Sequence, residues 1–249
     1  ALGLDNALNL EGTVTVEDID AYISRVRQSL AEDAHNPLEC MSEFFTARIE
    51  SYESHMLGVF PDTYAWFAEL VPATTRDLLD LGCGTGLELD AVFGVLPDVR
   101  VTGVDVTDAM LDVLVRKHPD KHLNLVQGDF MEVAFGRNAF DTAISFEALH
   151  HLTPDQKRRI YRKVYDALRP GGCYIECDYV AACQEEVELT FQDRDQRRVA
   201  AGLPEDALVH YDTPLTTQQQ RELMTEAGFA CVDVVHEEAA TVILVALKA

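Results

Sequence analysis

Three glycines at alternate positions, Gly82, Gly84 and Gly86, follow a short apolar run (Leu78, Leu79, Leu81) that carries one acid, Asp80. Glycines in such a loop allow positive φ and remove the Cβ atoms that would hold a ligand away from the main chain. Beyond Gly86 the apolar spacing turns helical through Leu87, Ala91, Val92 and Val95, so the loop opens on a helix N-terminus. Free amides there favour a ligand group that is negative or accepts hydrogen bonds. The spacing Gly-x-Gly-x-Gly differs from the Gly-x-Gly-x-x-Gly of dinucleotide folds, and the Gly-Lys-Ser/Thr of a phosphate-binding loop is missing. Val101-Thr-Gly-Val-Asp105 ends in an acid 23 residues after Gly82. An acid at a strand end can accept from both vicinal hydroxyls of a ribose. Each such charged bond contributes roughly 1.5–3 kcal/mol.

Other chemistry-bearing residues stand further along. Val126-Gln-Gly128-Asp129-Phe130 places an acid and an aromatic ring in a turn. His150 and His151 follow an apolar run, where one of them could serve as a base or hold a structural hydrogen bond. Tyr52, within Ser51-Tyr-Glu-Ser-His55, is either a pocket residue or a core aromatic. Glu176 and Asp178 fall on one face of an extended run. With His150 they could hold a metal, but two acids beside a polar segment more often orient a substrate, and no metal is expected. His210, Tyr211 and Asp212 are candidates for a substrate pocket.

These residues need a scaffold, and the chain is long enough to build one. Its 249 residues are 47% hydrophobic, sufficient for one large domain or a core with an appendage. The formal net charge is −23, from 43 acids against 20 bases, which disfavours nucleic acid and anionic membranes as partners. The basic cluster Lys157, Arg158, Arg159, Arg162 and Lys163 reads as a solvated helix face rather than a binding patch. Six scattered cysteines without Cys-x-x-Cys spacing suit a reduced, cytoplasmic protein, with Cys173 and Cys177 as buried thiols on one strand face. No secretory signal and no run of membrane-spanning length is seen.

Residues 1 to 14 carry little pattern. Helical spacing then predicts three helices, over 16–31, 38–57 and a short stretch after Pro61, with Thr15 and Asp18 as a capping pair. Strands follow at 77–81, 100–105, 123–127, 140–146 and 173–179, alternating with helices from 87, 107 and 154. Thr107 is the expected cap of the second of these helices, and Thr153-Pro-Asp-Gln156 makes a capping box for the third. Residues 180 to 215 read as polar and irregular, and a last helix over 217–227 stops at Gly228 before two closing strands. The expected fold is α/β, a doubly wound, seven-stranded and mostly parallel sheet with an N-terminal helical appendage. Residues 1–72 form that appendage or lid, 73–249 the core, and 180–215 a lid or substrate insertion.

Asp80-Leu-Gly-Cys83-Gly-Thr85-Gly86 resembles the first motif of the class I S-adenosylmethionine-dependent methyltransferases. The resemblance extends in order through Asp105, the Gly128-Asp129-Phe130 turn, Phe140-Asp-Thr-Ala-Ile-Ser145-Phe146-Glu147 and Leu168-Arg-Pro-Gly-Gly-Cys173, covering roughly residues 45 to 249. It implies S-adenosyl-L-methionine as cofactor, with Asp80, Gly82, Cys83, Gly84, Thr85 and Gly86 as its loop. Asp105 would take the ribose, with Val106 and Met110 beside it, and Asp129 would accept from the adenine amino group next to Gly128 and Phe130. Ser145, Phe146 and Glu147 would approach the methionine moiety and the methyl group. His150, His151 and Tyr52 are the catalytic candidates, the tyrosine as one that closes over the methionine end.

The function so implied is in-line methyl transfer to a small-molecule acceptor, in an enzyme whose oligomeric state is open, with a homodimer among the options. Three alternatives stand beside it. The chain also resembles transferases of tRNA wobble-uridine modification and makers of carboxy-S-adenosylmethionine, the first of these disfavoured by the acidic charge. It could instead bind S-adenosylmethionine without turnover. A nicotinamide-dependent dehydrogenase is disfavoured by the glycine spacing.

Overall fold

The computed structural model describes residues 16–249. The order is α1 (Val16–Asp33), β1 (Glu39–Cys40), α2 (Met41–Val59), α3 (Thr63–Leu70), β2 (Asp77–Leu81), α4 (Leu87–Val95), β3 (Arg100–Asp105), α5 (Asp108–Lys117) and β4 (His122–Gln127). It continues through β5 (Phe140–Phe146), α6 (Pro154–Ala167), β6 (Leu168–Tyr179), α7 (Gln184–Ala200), β7 (Val209–His210), α8 (Thr217–Ala227), β8 (Cys231–Glu238) and β9 (Thr241–Leu247). The Thr15–Asp18 capping pair lies outside the described residues. No helix among the described residues is long and apolar enough to cross a membrane.

Seven strands form one sheet in the order β4-β3-β2-β5-β6-β9-β8, and only β9 runs against the rest. The chain leaves β2 toward β3 and β4, then returns to place β5 on the other side of β2. The strand order therefore reverses at the carboxyl ends of β2 and β5, where doubly wound sheets bind ligands. Alternation along the central strands feeds two cores. Leu78, Ile144, Ile175 and Ile243 pack with α3, α4 and α5, while Leu79, Leu81, Ala143, Tyr174 and Leu244 pack with α6 and α8. Both faces are covered, which is why these strands read as nearly continuous apolar runs. Cys173 and Cys177 are buried on one face as expected, and all six cysteines are free thiols.

The ends of α6 and α8 follow from local chemistry. Thr153 accepts from the Gln156 N–H and Gln156 Oε1 accepts from the Thr153 N–H, closing the box at α6. Gly228, at φ 112°, caps α8 in the left-handed region. Thr107 stands at the expected position before α5, but its hydroxyl makes no cap bond; its N–H donates instead to Asp105 Oδ1 at 2.7 Å.

Four expectations give way. Residues 180–215 are not irregular: α7 is a 17-residue helix. Its buried side chains include Glu186, Thr190 and Arg194, so apolar periodicity could not reveal it. Glu186 accepts from Tyr22 of α1 at 2.7 Å and from Tyr179 at 2.8 Å, and α1 packs on α7 through Tyr22, Ile23, Val26 and Leu30. Second, β1 and β7 pair over two residues, Glu39 with His210 and Cys40 with Val209, joining the lead-in of α2 to the segment after α7. Third, Arg169-Pro-Gly-Gly172 does not precede β6 but lies within it as a bulge, since Leu168 already pairs with Phe140. A Cβ on Gly172 would come within 2.7 Å of the Asp141 carbonyl oxygen.

Fourth, the basic cluster on α6 is not a solvated face throughout. Lys157 is fully buried, donating to Asp178 Oδ2 at 3.1 Å and Gln220 Oε1 at 3.2 Å. Lys163 Nζ donates to the carbonyls of Phe130, Met131 and Val133 at 2.6, 2.8 and 2.7 Å, tying down the turn after β4.

Candidate functional site

The glycine loop leaves β2 with Gly82, Gly84 and Gly86 at φ 71°, 47° and 74°. Left-handed backbone of this kind favours glycine. A Cβ at Gly82 would also stand 2.7 Å from the Ala148 Cβ, so the loop and the segment after β5 meet with no room for a side chain. Asp105, at the end of β3, holds the loop: its Oδ2 accepts from the Gly84 N–H at 2.9 Å and its Oδ1 from the Thr107 N–H. Burial raises the Asp105 carboxyl, and those two N–H groups hold it down in opposition. Asp129, after β4, accepts from the Met131 N–H at 2.7 Å and so shapes its own turn.

These strand ends line a pocket of about 640 Å³, its open side included. Of the residues singled out from sequence, Gly82, Gly84, Asp105, Val106 and Met110 line one side of it. Gly128, Asp129, Phe130, Phe146 and Glu147 line the other, with Tyr52 and His151 at the mouth. The Tyr52 hydroxyl lies 3.6 Å from the position a Cβ of Gly84 would take. Burial and then the carboxylates of Glu88, Asp105 and Glu147 raise its phenol, keeping it a donor.

Five predicted loop and strand residues are placed behind this wall. Asp80 is fully buried, and its carboxylate oxygens have no donor among the described residues. Burial and the neighbouring buried Glu88 push its carboxyl well above the usual range. Cys83 fills the space over Gly103, and Gly86 backs onto Leu114. Thr85 is buried with its carbonyl accepting from Lys117 at 3.2 Å, and Ser145 is bonded to the Tyr174 hydroxyl at 2.7 Å. They shape the loop and the sheet rather than the cavity surface.

A wider cleft continues from the cavity between α2, α3 and the ends of β6 and β9, and Phe45, Tyr52, Glu147 and His151 line both spaces. Its floor is a cluster of histidines and acids. His150 Nδ1 lies 2.7 Å from Asp178 Oδ1, and His150 Nε2 lies 3.6 Å from Asp212 Oδ1. His151 Nδ1 is 3.2 Å from the same Asp212 oxygen and 3.3 Å from the Tyr211 carbonyl. His210 stacks on Phe44 with ring centroids 3.4 Å apart and stands 4.7 Å from the His151 ring. Of the expected pocket residues, His210 and Asp212 face the cleft, while the Tyr211 hydroxyl donates to Asp193.

The electrostatics follow from burial and pairing. Burial pushes the His150 ring down, but the Asp178, Asp212 and Glu147 carboxylates carry it up to about 9. His151 is lowered by burial and by its neighbour His150. Burial raises Glu147 to about 8 against the pull of His150. Glu147 holds φ at 49°, its Oε1 is buried without a partner among the described residues, and its N–H donates to the Cys177 carbonyl at 2.7 Å.

Glu176 and Asp178 do share a strand face, but both are fully buried and neither reaches the cleft. Glu176 is bonded to Tyr161 and Tyr174, and Asp178 bridges Lys157 to His150; the expected substrate-orienting role is corrected to support from behind. Sequence reasoning did not single out Met41, Phe45, Ala148, Leu152 and Leu208 as cavity lining. The helical spacing of Met41 and Phe45 did place them on an apolar stripe, and the structure turns that stripe toward the cavity rather than the core.

Residues 78–172 match a family model described as a methyltransferase domain. The chain is 31% identical over 165 residues to the cypemycin N-terminal methyltransferase of a Streptomyces species, an alignment covering 65% of this chain and 64% of that protein. The chain thus spans less than two thirds of that relative. It is 28% identical over 191 residues to the carboxy-S-adenosyl-L-methionine synthase of Chromohalobacter salexigens, covering 71% of this chain and 67% of that one. Among solved structures, a possible histamine N-methyltransferase from Thermotoga maritima superposes with a TM-score of 0.59 at 18% identity, covering 84% of this chain and all (100%) of that one.

Proposed function

Because the chain carries a class I S-adenosylmethionine-dependent methyltransferase domain, we propose that the cavity holds S-adenosylmethionine and that the cleft admits a small-molecule methyl acceptor. The observation that carries this reading is their junction: Phe45, Tyr52, Glu147 and His151 belong to both spaces. The cavity suits the cofactor. The bare backbone at Gly82 and Gly84 admits close approach, Asp105 and Asp129 offer acceptors, and Glu147 Oε1 is an acceptor without a donor.

When bound, the cofactor supplies a methyl group on a sulfonium, whose leaving group is already activated. The chain's own task is therefore alignment and proton removal. Asp105, fixed by two backbone N–H groups, is positioned for the ribose diol. Tyr52 closes the mouth as a donor. His151, at the junction and with Nδ1 3.2 Å from Asp212, would take the acceptor's proton. His150, bonded through Nδ1 to Asp178 at 2.7 Å, stands behind His151 as its support.

The cavity wall presents Asp105, Asp129 and Glu147 and, among the described residues, no lysine or arginine. That favours a methyl over a carboxymethyl donor, whose added carboxylate would meet like charge. The net charge of −23 likewise favours a small acceptor over tRNA.

Calorimetric titration with S-adenosylmethionine and S-adenosylhomocysteine, on the wild type and on Asp105→Ala, tests the reading. Micromolar binding corresponds to about −8 kcal/mol. Loss of both ribose bonds should remove roughly 2–4 kcal/mol, at least thirtyfold. Wild-type protein that binds neither ligand refutes the assignment. Binding without methylation of any acceptor in a labelled-methyl screen leaves a binding protein instead.

A further inference from the structure

Two imidazoles and a carboxylate converge on one point at the floor of the cleft, and the reading above uses them only as a base and its support. Asp212 Oδ1 is 3.2 Å from His151 Nδ1 and 3.6 Å from His150 Nε2, yet it is buried and makes a properly aligned hydrogen bond to neither. His150, His151 and Asp212 offer three ligand atoms within 4.8 Å of one another. In a tetrahedral site with metal–ligand distances of about 2.0–2.1 Å, neighbouring ligand atoms stand about 3.3–3.4 Å apart. The two measured edges bracket that spacing.

Around His150 the surroundings have the form that metal sites require, while His151 Nδ1 has a long contact of 3.3 Å to the Tyr211 carbonyl that an ion would replace. A ligating histidine donates its second ring N–H to a carboxylate, which fixes the tautomer and turns the other nitrogen to the ion. His150 does this: Nδ1 meets Asp178 Oδ1 at 2.7 Å, leaving Nε2 facing Asp212. Asp178 is held in turn by the buried Lys157 at 3.1 Å. His150, His151 and Asp212 all line the cleft, on the side where an acceptor would enter. Asp178 and Asp212 flank the two rings beside Lys157, so a cation that displaces the proton of His150 finds two carboxylates as counter-charges.

We propose that His150 Nε2, His151 Nδ1 and Asp212 Oδ1 form a three-ligand site for a divalent transition-metal ion, open toward the cleft. Two imidazoles and one carboxylate select an ion of the zinc type over magnesium or calcium, which prefer all-oxygen shells. Through the open position the ion takes an oxygen or nitrogen of the acceptor, fixing it at the junction with the donor cavity. Only this last role rests on the methyltransferase reading; ion binding does not. With the ion in place both rings are ligands, and proton removal from the acceptor passes to Glu147, whose free Oε1 borders the same junction.

Untagged protein stripped with chelator is titrated with Zn2+, Co2+ and Mg2+, and bound metal is measured after dialysis. The expected result is about one Zn2+ or Co2+ per chain, a visible Co2+ absorption band and no retained Mg2+. Asp212→Asn and His151→Ala should each weaken Zn2+ at least thirtyfold, while His122→Ala, on the exposed edge of the sheet, should leave it unchanged. Thermal unfolding of the same variants followed by circular dichroism shows that they remain folded, a control independent of the cofactor assignment. Absence of stoichiometric Zn2+ or Co2+, or equal retention by Asp212→Asn and the wild type, overturns the proposal.

Discussion

Lys157→Met should unfold this protein far more easily than its position in a basic helix face suggests. Lys157 and Asp178 are both fully buried, 3.1 Å apart, and the lysine also donates to Gln220 at 3.2 Å. Methionine fills nearly the same volume, so packing is largely kept and the charge alone is removed. Asp178 then keeps His150 as its counter-charge in a fully buried site. Removing one member of a buried pair costs about 3–5 kcal/mol. Against a total stability of about 5–15 kcal/mol that is a large fraction. At about 2–4 °C per kcal/mol for a domain of this size, the melting temperature falls by about 6–20 °C. Urea unfolding followed by circular dichroism measures the loss, with Arg159→Met on the exposed side of the same helix as reference, expected within about 0.5 kcal/mol of wild type. Asp178→Asn in the Lys157→Met background removes the stranded charge, and the double variant should regain at least 1 kcal/mol or so over the single. A loss below about 1 kcal/mol for Lys157→Met, or strict additivity with Asp178→Asn, would refute the argument.

Lys163→Met releases three carbonyls of the turn that carries Phe130, and S-adenosylhomocysteine affinity should fall about tenfold, or 1.4 kcal/mol, by calorimetry. Gly82→Ala forces a Cβ against Ala148 at positive φ; a stability loss of at least 1–2 kcal/mol or so is expected in urea, with cofactor binding weakened more than tenfold. At Asp141, partial burial pushes the carboxyl up, but the N–H groups of Asp77 and Arg76 and the Arg169 guanidinium hold it below its ordinary value. A depressed carboxyl contributes stability above the unfolded pKa, near 4, and loses it as pH falls through the folded one. The melting-temperature gap between wild type and Asp141→Asn should therefore be full at pH 7 and close progressively below about pH 4.

The sheet was legible because its signals are local. Strands at 77–81, 100–105 and 140–146 and the helix at 217–227 emerge with the boundaries expected, since apolar runs and glycine breaks lie side by side in the chain. The polar part of the cavity was legible for the same reason, each element ending in its own acid or glycine. What escaped depends on partners distant in sequence. Helix α7 buries a glutamate, a threonine and an arginine, and one partner that accounts for the glutamate, Tyr22, stands 164 residues away from Glu186. Lys157 looks like any helix lysine until Asp178 stands beside it. Met41 and Phe45 look like core until the two-residue pairing of β1 with β7 places their helix over the cavity.

The backbone at Glu147 sets a limit on how far this protein can be improved as a material. A glutamate at φ 49° costs about 1–3 kcal/mol, and burying its carboxylate adds to that cost. Glycine or asparagine would relax the turn, so a search for thermostable variants should return substitutions at position 147 repeatedly. Each would trade away the one carboxylate that, among the described residues, borders both the cavity and the cleft. Selection for heat resistance and selection for turnover thus pull this position in opposite directions, and a library screened on melting alone will drift toward robust, inactive chains.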